Sequence, residues 1–240
     1  YFTRRDDHCR SARPRAGRPA RHAHECRSRG ERTVAGVGII MIAIIDYGMG
    51  NLRSVEKAFQ FLGFTALIVD NPAETTNASH LVLPGDAAFG DAMRNLNNGG
   101  WVECIEQGVQ SGKPFLGICV GLQLMFEESE EMGTHKGLGL LPGKCTRFPA
   151  GERIPQIGWN QIDIQRETPL LDGVPTGSFF YFVHSYYVTT ENTDERIATT
   201  DYGLDYTSVA GRDGLYGVQF HPEKSQERGL RILKNFAQMS

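Results

Sequence analysis

The first sustained apolar run of the chain, Met41-Ile42-Ala43-Ile44-Ile45, is hydrophobic at every position and stops at Asp46. A strand with one wet face alternates, whereas a strand covered on both faces does not, so this run predicts a buried strand of a parallel sheet. After the loop Tyr47-Gly48-Met49-Gly50, Asn51 stands as the N-cap of a helix with Leu52, Val55, Phe59 and Leu62 on one stripe and Gly63 at its end. Residues 66–69 and 81–83 read as further strands, the second closed by Pro84-Gly85. Helical spacing over 87–96 and 101–110 leads to a strand at 115–118. Strands alternating with helices require crossover connections, which predicts an α/β fold with a mostly parallel, doubly wound sheet flanked by helices.

The pattern changes in the second half. Residues 138–148, 161–164, 178–187, 196–200, 206–210 and 215–219 read as strands joined by short turns, and 225–239 as a closing amphipathic helix with Leu230, Leu233 and Phe236 inward. No linker divides the halves, so the later strands are expected as an antiparallel or mixed extension of the same sheet within a single domain. In open α/β sheets, sites form beyond the carboxyl ends of the strands. The loops 46–51, 84–90 and 117–121 all lie there and should meet at one edge.

The third loop carries the most reactive candidate. Gly117-Ile118-Cys119-Val120-Gly121 follows an apolar strand and precedes a helical pattern, the arrangement of a nucleophile elbow. Glycine on either side suits a bend packed too tightly for Cβ atoms. The Val120 N–H and the new helix N-terminus would face the thiol and favour its anion. Such a thiol needs a base, and the base needs an orienting carboxylate; His221-Pro222-Glu223 offers both. Taken alone, a cysteine in an apolar run is usually a small buried hydrophobe, and a histidine beside proline a loop residue. Together, each supplies what the chemistry of the other lacks.

Composition narrows the setting. The chain has 240 residues, 40% of them hydrophobic, enough for one large α/β core, and a formal charge of −3. That charge is unevenly spread. Residues 1–40 hold ten Arg against four acidic residues, a formal +6, and residues 41–240 hold fifteen basic against twenty-four acidic residues, a formal −9. An acidic working region argues against a nucleic-acid or anionic-membrane partner. The Arg-, Ala-, Gly- and Pro-rich segment 1–40 has no hydrophobic periodicity and reads as a disordered extension, with Met41 as the expected start of the domain. A basic nucleic-acid arm, a secretory signal and a transit peptide are the competing readings of that segment. The apolar stretch 34–45 is too short to span a bilayer and lacks a following small-residue cleavage site. Five cysteines, none in a C-x-x-C pair, read as reduced thiols of a cytoplasmic protein, with no metal site and no cofactor expected.

Residues 117–123, Gly-Ile-Cys-Val-Gly-Leu-Gln, together with His221-Pro222-Glu223, resemble the class I (triad) glutamine amidotransferase family. Asp46-Tyr47-Gly48-Met49-Gly50-Asn51, Pro155-Gln156-Ile157-Gly158-Trp159-Asn160 and Tyr181-Phe182-Val183-His184-Ser185-Tyr186-Tyr187 narrow the likeness to the glutaminase subunits of imidazole glycerol phosphate synthase. The likeness begins at Met41 and covers the rest of the chain. It implies glutamine as substrate, Cys119 as nucleophile, His221 as base and Glu223 as its orienting partner. It implies an oxyanion hole from Val120 and the Gly85-Asp86 loop, and a heterodimer with a (β/α)8-barrel cyclase facing Asn51, Trp159, Asn160 and Lys224.

Gln123, one helical turn after Cys119, is expected to contact glutamine. Glu131 reads equally as a ligand for the substrate ammonium or as a solvated member of the acidic cluster 127–131. His184, with Ser185 beside it, lies in an aromatic strand run and reads as a wall of the substrate site rather than a second base. One departure stands out: Ala87 occupies a position where the family usually has Gly, which would restrict the oxyanion loop and keep basal hydrolysis slow. Other amidotransferase subunits, a catalytically idle relative and a cysteine peptidase are the alternatives. The runs 155–160 and 181–187, the intact triad and Gln123 argue against them in turn.

Overall fold

The computed structural model describes residues 40–190 and 192–240; the expectations for the segment 1–39, its disorder and its origin, lie outside the described residues. The first half is built from β1 (Met41–Ile45), α1 (Leu52–Phe61), β2 (Thr65–Val69), β3 (His80–Gly85), α2 (Phe89–Asn98), α3 (Trp101–Gln110), β4 (Phe115–Cys119) and the short α4 (Val120–Leu124). The second half contributes β5 (Glu128–Ser129), β6 (His135–Lys136), β7 (Lys144–Arg147), β8 (Gln156–Gln161), β9 (Asp163–Ile164), β10 (Phe179–His184) and β11 (Tyr186–Thr189). It ends with β12 (Arg196–Asp201), β13 (Asp205–Arg212), β14 (Leu215–Val218) and α5 (Gln226–Ala237).

The main sheet runs β2-β1-β3-β4-β14-β13-β11-β7-β5-β6, with β12 paired to β13 and β9. Its first five strands are parallel. The run predicted to be covered on both faces is so from Ile42 to Ile45, and Leu81 to Leu83, Phe115, Leu116 and Ile118 are likewise essentially inaccessible to solvent. From β14 onward the pairing with β13, then β11, then β7 is antiparallel, which is the expected extension.

The topology places β14 directly beside β4, with Val218 opposite Ile118. The residues after β14 therefore land next to the residues after β4, although Gln219 and Cys119 are 100 positions apart. On the other side of β4, Gly85 at the end of β3 stands opposite Cys119. The four adjacent strands β1, β3, β4 and β14 thus each deliver a chemically loaded segment to one edge, β1 contributing the loop 46–51.

Several local expectations need correction. Of 138–148 only Lys144–Arg147 is strand. The preceding residues fold back instead: Leu138 N–H donates to Leu124 O, and the Leu140 and Leu141 amides both donate to Met125 O. A five-residue helix leaves its last carbonyls without intrahelical donors, and this loop supplies them. The run 178–187 breaks at Ser185, because β10 pairs with β8 in a separate two-stranded sheet while β11 joins the main sheet. β8 itself was legible only as a motif, since its apolar Ile157 and Trp159 stand on the exposed face while Gln156, Gly158 and Asn160 face the other way, the reverse of the usual alternation. The segment 161–164 divides into the end of β8 and β9, with Ile162 buried between them. Asn51 precedes α1, but its side chain makes no capping bond.

The turn at the end of β4 is the tightest point of the sheet. A Cβ on Gly117 would stand 2.6 Å from Gly121 O, and one on Gly121 would run into the Leu83 carbonyl oxygen. Both obstacles are backbone and cannot swing aside. Gly121→Ala is therefore expected to destabilise the domain by about 1–3 kcal/mol, the usual cost of overpacking, read as a fall in the denaturant midpoint. An unchanged midpoint would contradict this packing.

Candidate active site

Cys119 is buried, and its backbone has φ 57° and ψ −110°. A non-glycine residue at positive φ is held there only by its surroundings, and such residues cluster at working sites. Here the parallel pairing to β3 and β14 fixes the entry, and α4 begins at Val120 and fixes the exit. The elbow predicted from Gly117 and Gly121 is present, with the thiol at its tip.

His221 is held from three directions. Its N–H donates to Tyr181 O at 2.9 Å, its carbonyl accepts the Ser225 hydroxyl at 2.6 Å, and Ser225 Oγ in turn accepts the Tyr181 N–H at 3.0 Å. Phe220, the preceding residue, stacks on Phe180 with ring centroids 4.1 Å apart and meets Phe182 edge-on. The imidazole has little freedom left. Its Nδ1 bonds Glu223 Oε1 at 2.8 Å, which aims Nε2 away from the carboxylate. Nε2 is buried and closes no standard hydrogen bond with protein, while Cys119 is a main influence on the ring.

Burial pushes the His221 imidazole down, but hydrogen bonding and charge from Cys119 and Glu223 outweigh it and hold the group at about 10. A cation between sulfur and carboxylate is the physical basis of a thiolate–imidazolium pair. Glu223 reinforces this: its side chain is fully buried, and Oε2 has no partner among the described residues, so the carboxylate depends on the imidazolium for compensation.

A further donor to that carboxylate was not legible in the sequence. Asn51 Nδ2 reaches Glu223 Oε1 at 3.1 Å across 172 positions. The residue expected to cap α1 thus braces the His221–Glu223 pair instead. The same loop braces β3 as well: Gly50 N–H donates to Asp86 Oδ1 at 2.8 Å and the Tyr47 hydroxyl to Pro84 O at 3.0 Å. Burial pushes the Tyr47 phenol well up, so it remains a donor. One loop therefore ties the Glu223 carboxylate to the strand end bearing Gly85 and Asp86.

Other predicted residues take more specific places. Gln123 is buried, and its amide nitrogen donates both to Tyr186 O at 2.9 Å and to Gln219 Oε1 at 3.2 Å. Glu131 is not simply solvated, since Oε2 accepts the Phe89 N–H at the start of α2 at 2.7 Å. His184 has both ring nitrogens engaged, Nδ1 with Tyr186 O at 2.8 Å and Nε2 with the Tyr206 hydroxyl at 3.1 Å. Burial pushes its imidazole down to about 4, so it is neutral near pH 7. Ser185 sits half-buried at the break between β10 and β11. Val120 begins α4, and Gly85 packs against it so closely that an added Cβ would meet Val120 Cβ at 2.8 Å. Asp86 is exposed, and Ala87 lies in the turn leading to α2.

Trp159 is 47% exposed on β8, opposite Tyr181 on β10, with Lys224 Nζ 5.9 Å above the Tyr181 ring. Asn160 spends its amide on Asp201 O at 2.8 Å.

With this geometry in place, the chain matches the glutamine amidotransferase class-I family over residues 43–239. The chain belongs to the class-I glutamine amidotransferase family. Among curated relatives, the HisH subunit of imidazole glycerol phosphate synthase from Syntrophotalea carbinolica is 54% identical, covering 83% of this chain and 100% of its own. The corresponding subunit from Aquifex aeolicus is 50% identical, covering 80% of this chain and 94% of its own. Solved structures share the fold at low identity. PurLQS from Thermotoga maritima has a TM-score of 0.68 at 17% identity, covering 82% of this chain and 97% of that one. A glutamine amidotransferase has a TM-score of 0.66 at 18% identity, covering 82% and 99%.

The raised imidazole makes stability pH-dependent with a definite sign. The folded state binds a proton that the unfolded state releases near 6.5, so the contribution is complete below about 6.5 and is lost as pH rises through about 10. Unfolding free energy is expected to fall across that window, and Glu223→Gln to flatten the slope. Denaturant melts at a series of pH values check it, and an equal slope in both proteins would contradict the pairing.

Proposed function

We propose that this chain is the glutaminase subunit of an imidazole glycerol phosphate synthase, releasing ammonia from glutamine for histidine biosynthesis. The observation that carries the reading is the triad itself: Cys119 at the elbow, with His221 held beside it by Glu223. Identity near one half to HisH subunits along almost their whole length supports the narrower assignment.

The chemistry follows from the geometry. In the reactive form the Cys119 proton has passed to His221, and the sulfur attacks the side-chain carbonyl carbon of glutamine. Charge moves to oxygen, where the Val120 N–H and an amide of the Gly85-Asp86 segment would meet it, each donor worth about 3 kcal/mol in comparable acyl transfers. The C–N bond breaks as His221 passes its proton to the leaving nitrogen, and ammonia departs. Water, deprotonated by His221, then cleaves the glutamyl thioester and returns the thiol and glutamate. Glu131 suits the substrate ammonium through Oε1, because Oε2 is taken by Phe89 N–H. Gln123 has only its oxygen left for substrate, since both amide hydrogens are committed. His184 and Ser185 would form the adjoining wall, and Ala87 would hold basal turnover low until a partner acts on the oxyanion loop.

The partner would be the cyclase, a (β/α)8 barrel joined as a heterodimer. Ile157, Trp159 and Phe179 are exposed on the small sheet β8–β10, and contiguous apolar exposure of this kind marks an interaction face. Lys224 adds a cation at its edge, Asn51 lies in the adjacent loop, and Asn160 would contribute through its backbone. We infer a cytoplasmic setting, in keeping with the free thiols Cys104, Cys119 and Cys145. No helix among the described residues is long and apolar enough to cross a membrane.

Cys119→Ala, assayed with the cyclase, is expected to abolish product formation from glutamine and leave formation from ammonium salts intact. Loss of both activities or of neither would overturn the assignment. Trp159→Ala is expected to weaken association with the cyclase about 30-fold, equivalent to roughly 2 kcal/mol at an aromatic anchor. Titration calorimetry measures this, and an unaltered Kd would remove Trp159 from the interface.

A further inference from the structure

Behind the thiol lies a buried polar chain that the mechanism above does not use. Gln219 follows β14, has no accessible surface, and places Nε2 3.8 Å from Cys119 Sγ. We propose that Gln219 is a catalytic residue of this site, its side-chain amide donating to the Cys119 sulfur and steadying the anion, with Gln123 as the positioning residue that fixes the amide. The proposal deepens the glutaminase reading and rests on Cys119 being its nucleophile.

The direction of the amide follows from the network. Tyr186 O can only accept, so the end of Gln123 facing it at 2.9 Å is the NH2 group. The second hydrogen of that group goes to Gln219, which must therefore present its oxygen there, at 3.2 Å. The remaining end of Gln219 is its NH2, and that end faces sulfur. Tyr186 O is itself fixed by a second donor, His184 Nδ1 at 2.8 Å, and the neutral His184 is anchored in turn by the Tyr206 hydroxyl. The Gln219 backbone is held by its N–H bond to Ser208 O at 2.8 Å.

Between Val218 and Phe220, both fully buried, a hydrophobic side chain would pack without the desolvation cost of an amide. Chemistry at the sulfur supplies a reason for the amide. A further protein contact of the thiol is the Val183 carbonyl, 3.8 Å away, which can only accept and so favours the S–H form. Gln219 offers the opposite preference and offsets it.

The titratable groups around the sulfur are His221 and Glu223 after β14, Tyr47 on the β1–α1 loop, Cys145 on β7, His184 on β10 and Tyr206 on β13. Burial pushes Tyr47, Cys145 and Tyr206 up and His184 down, so all four are neutral near pH 7. That leaves the triad partners and Gln219 to set the state of the thiol.

The test is the pH profile of Cys119 alkylation by iodoacetamide in the full chain, followed by mass spectrometry of the Cys119 peptide so that other thiols do not contribute. Gln219→Met keeps the length and removes the donor. Its profile is expected to move to higher pH, with alkylation at pH 7 slowed about tenfold and the high-pH limiting rate unchanged. Gln123→Met, which leaves Gln219 in place but frees its amide, is expected to shift the profile the same way by a smaller amount, and it supplies the reading if Gln219→Met does not fold. A wild-type profile in the folded variants, or a rate lowered equally at every pH, overturns the proposal. Failure of the wild-type enzyme, assayed with the cyclase and its substrate, to hydrolyse glutamine would instead count against the glutaminase reading, whatever the alkylation profiles show.

Discussion

A cysteine backbone at φ 57° is the constraint on which the rest of the site depends. Sheet and helix meet there with no intervening loop, and the bend closes only because Gly117 and Gly121 admit backbone where side chains would stand. The parallel register then does the remaining placement. β3 sets Gly85 opposite Cys119, and β14 brings Gln219, Phe220 and His221 alongside. A shift in either pairing would separate Cys119 from His221 or from Gly85 while leaving every side chain chemically intact.

Around that bend, structural and chemical roles overlap. Ser225 and the Tyr181 backbone lock the His221 main chain, and Tyr181 also lies on the exposed face with Trp159 and Lys224. The Val183 carbonyl two residues further along β10 touches the sulfur. The loop 46–51 likewise grips both the triad carboxylate and the end of β3. Rigid hydrogen-bonded elements therefore connect the apolar outer surface to the reacting atoms over one or two residues, without any long path.

Much of this was legible beforehand. The continuous apolar runs gave the parallel strands because burial on both faces leaves no alternation to mask. The elbow and the His-x-Glu pair were visible because their spacing is local. The failures share one cause. Asn51 is a good capping residue by type, and only the approach of Glu223 from 172 positions away turns it to another use. The run 178–187 is strand-forming throughout, and nothing within it signals that its halves belong to different sheets. The stretch 138–143 is apolar enough for a strand, but the unsatisfied carbonyls of α4 claim its amides.

The sequence by itself determined the α/β class, the elbow that carries Cys119 and the paired His221 and Glu223, because each depends on residue type and on contacts within a few positions. Tertiary structure alone decided which buried amides, carbonyls and ring nitrogens pair with one another. Gln219 could be recognised as a neighbour of the sulfur, and both ring nitrogens of His184 as engaged, only once β4, β14 and β11 were side by side. A hydrogen bond is satisfied by distance and direction in space, and residue order carries neither across a hundred positions.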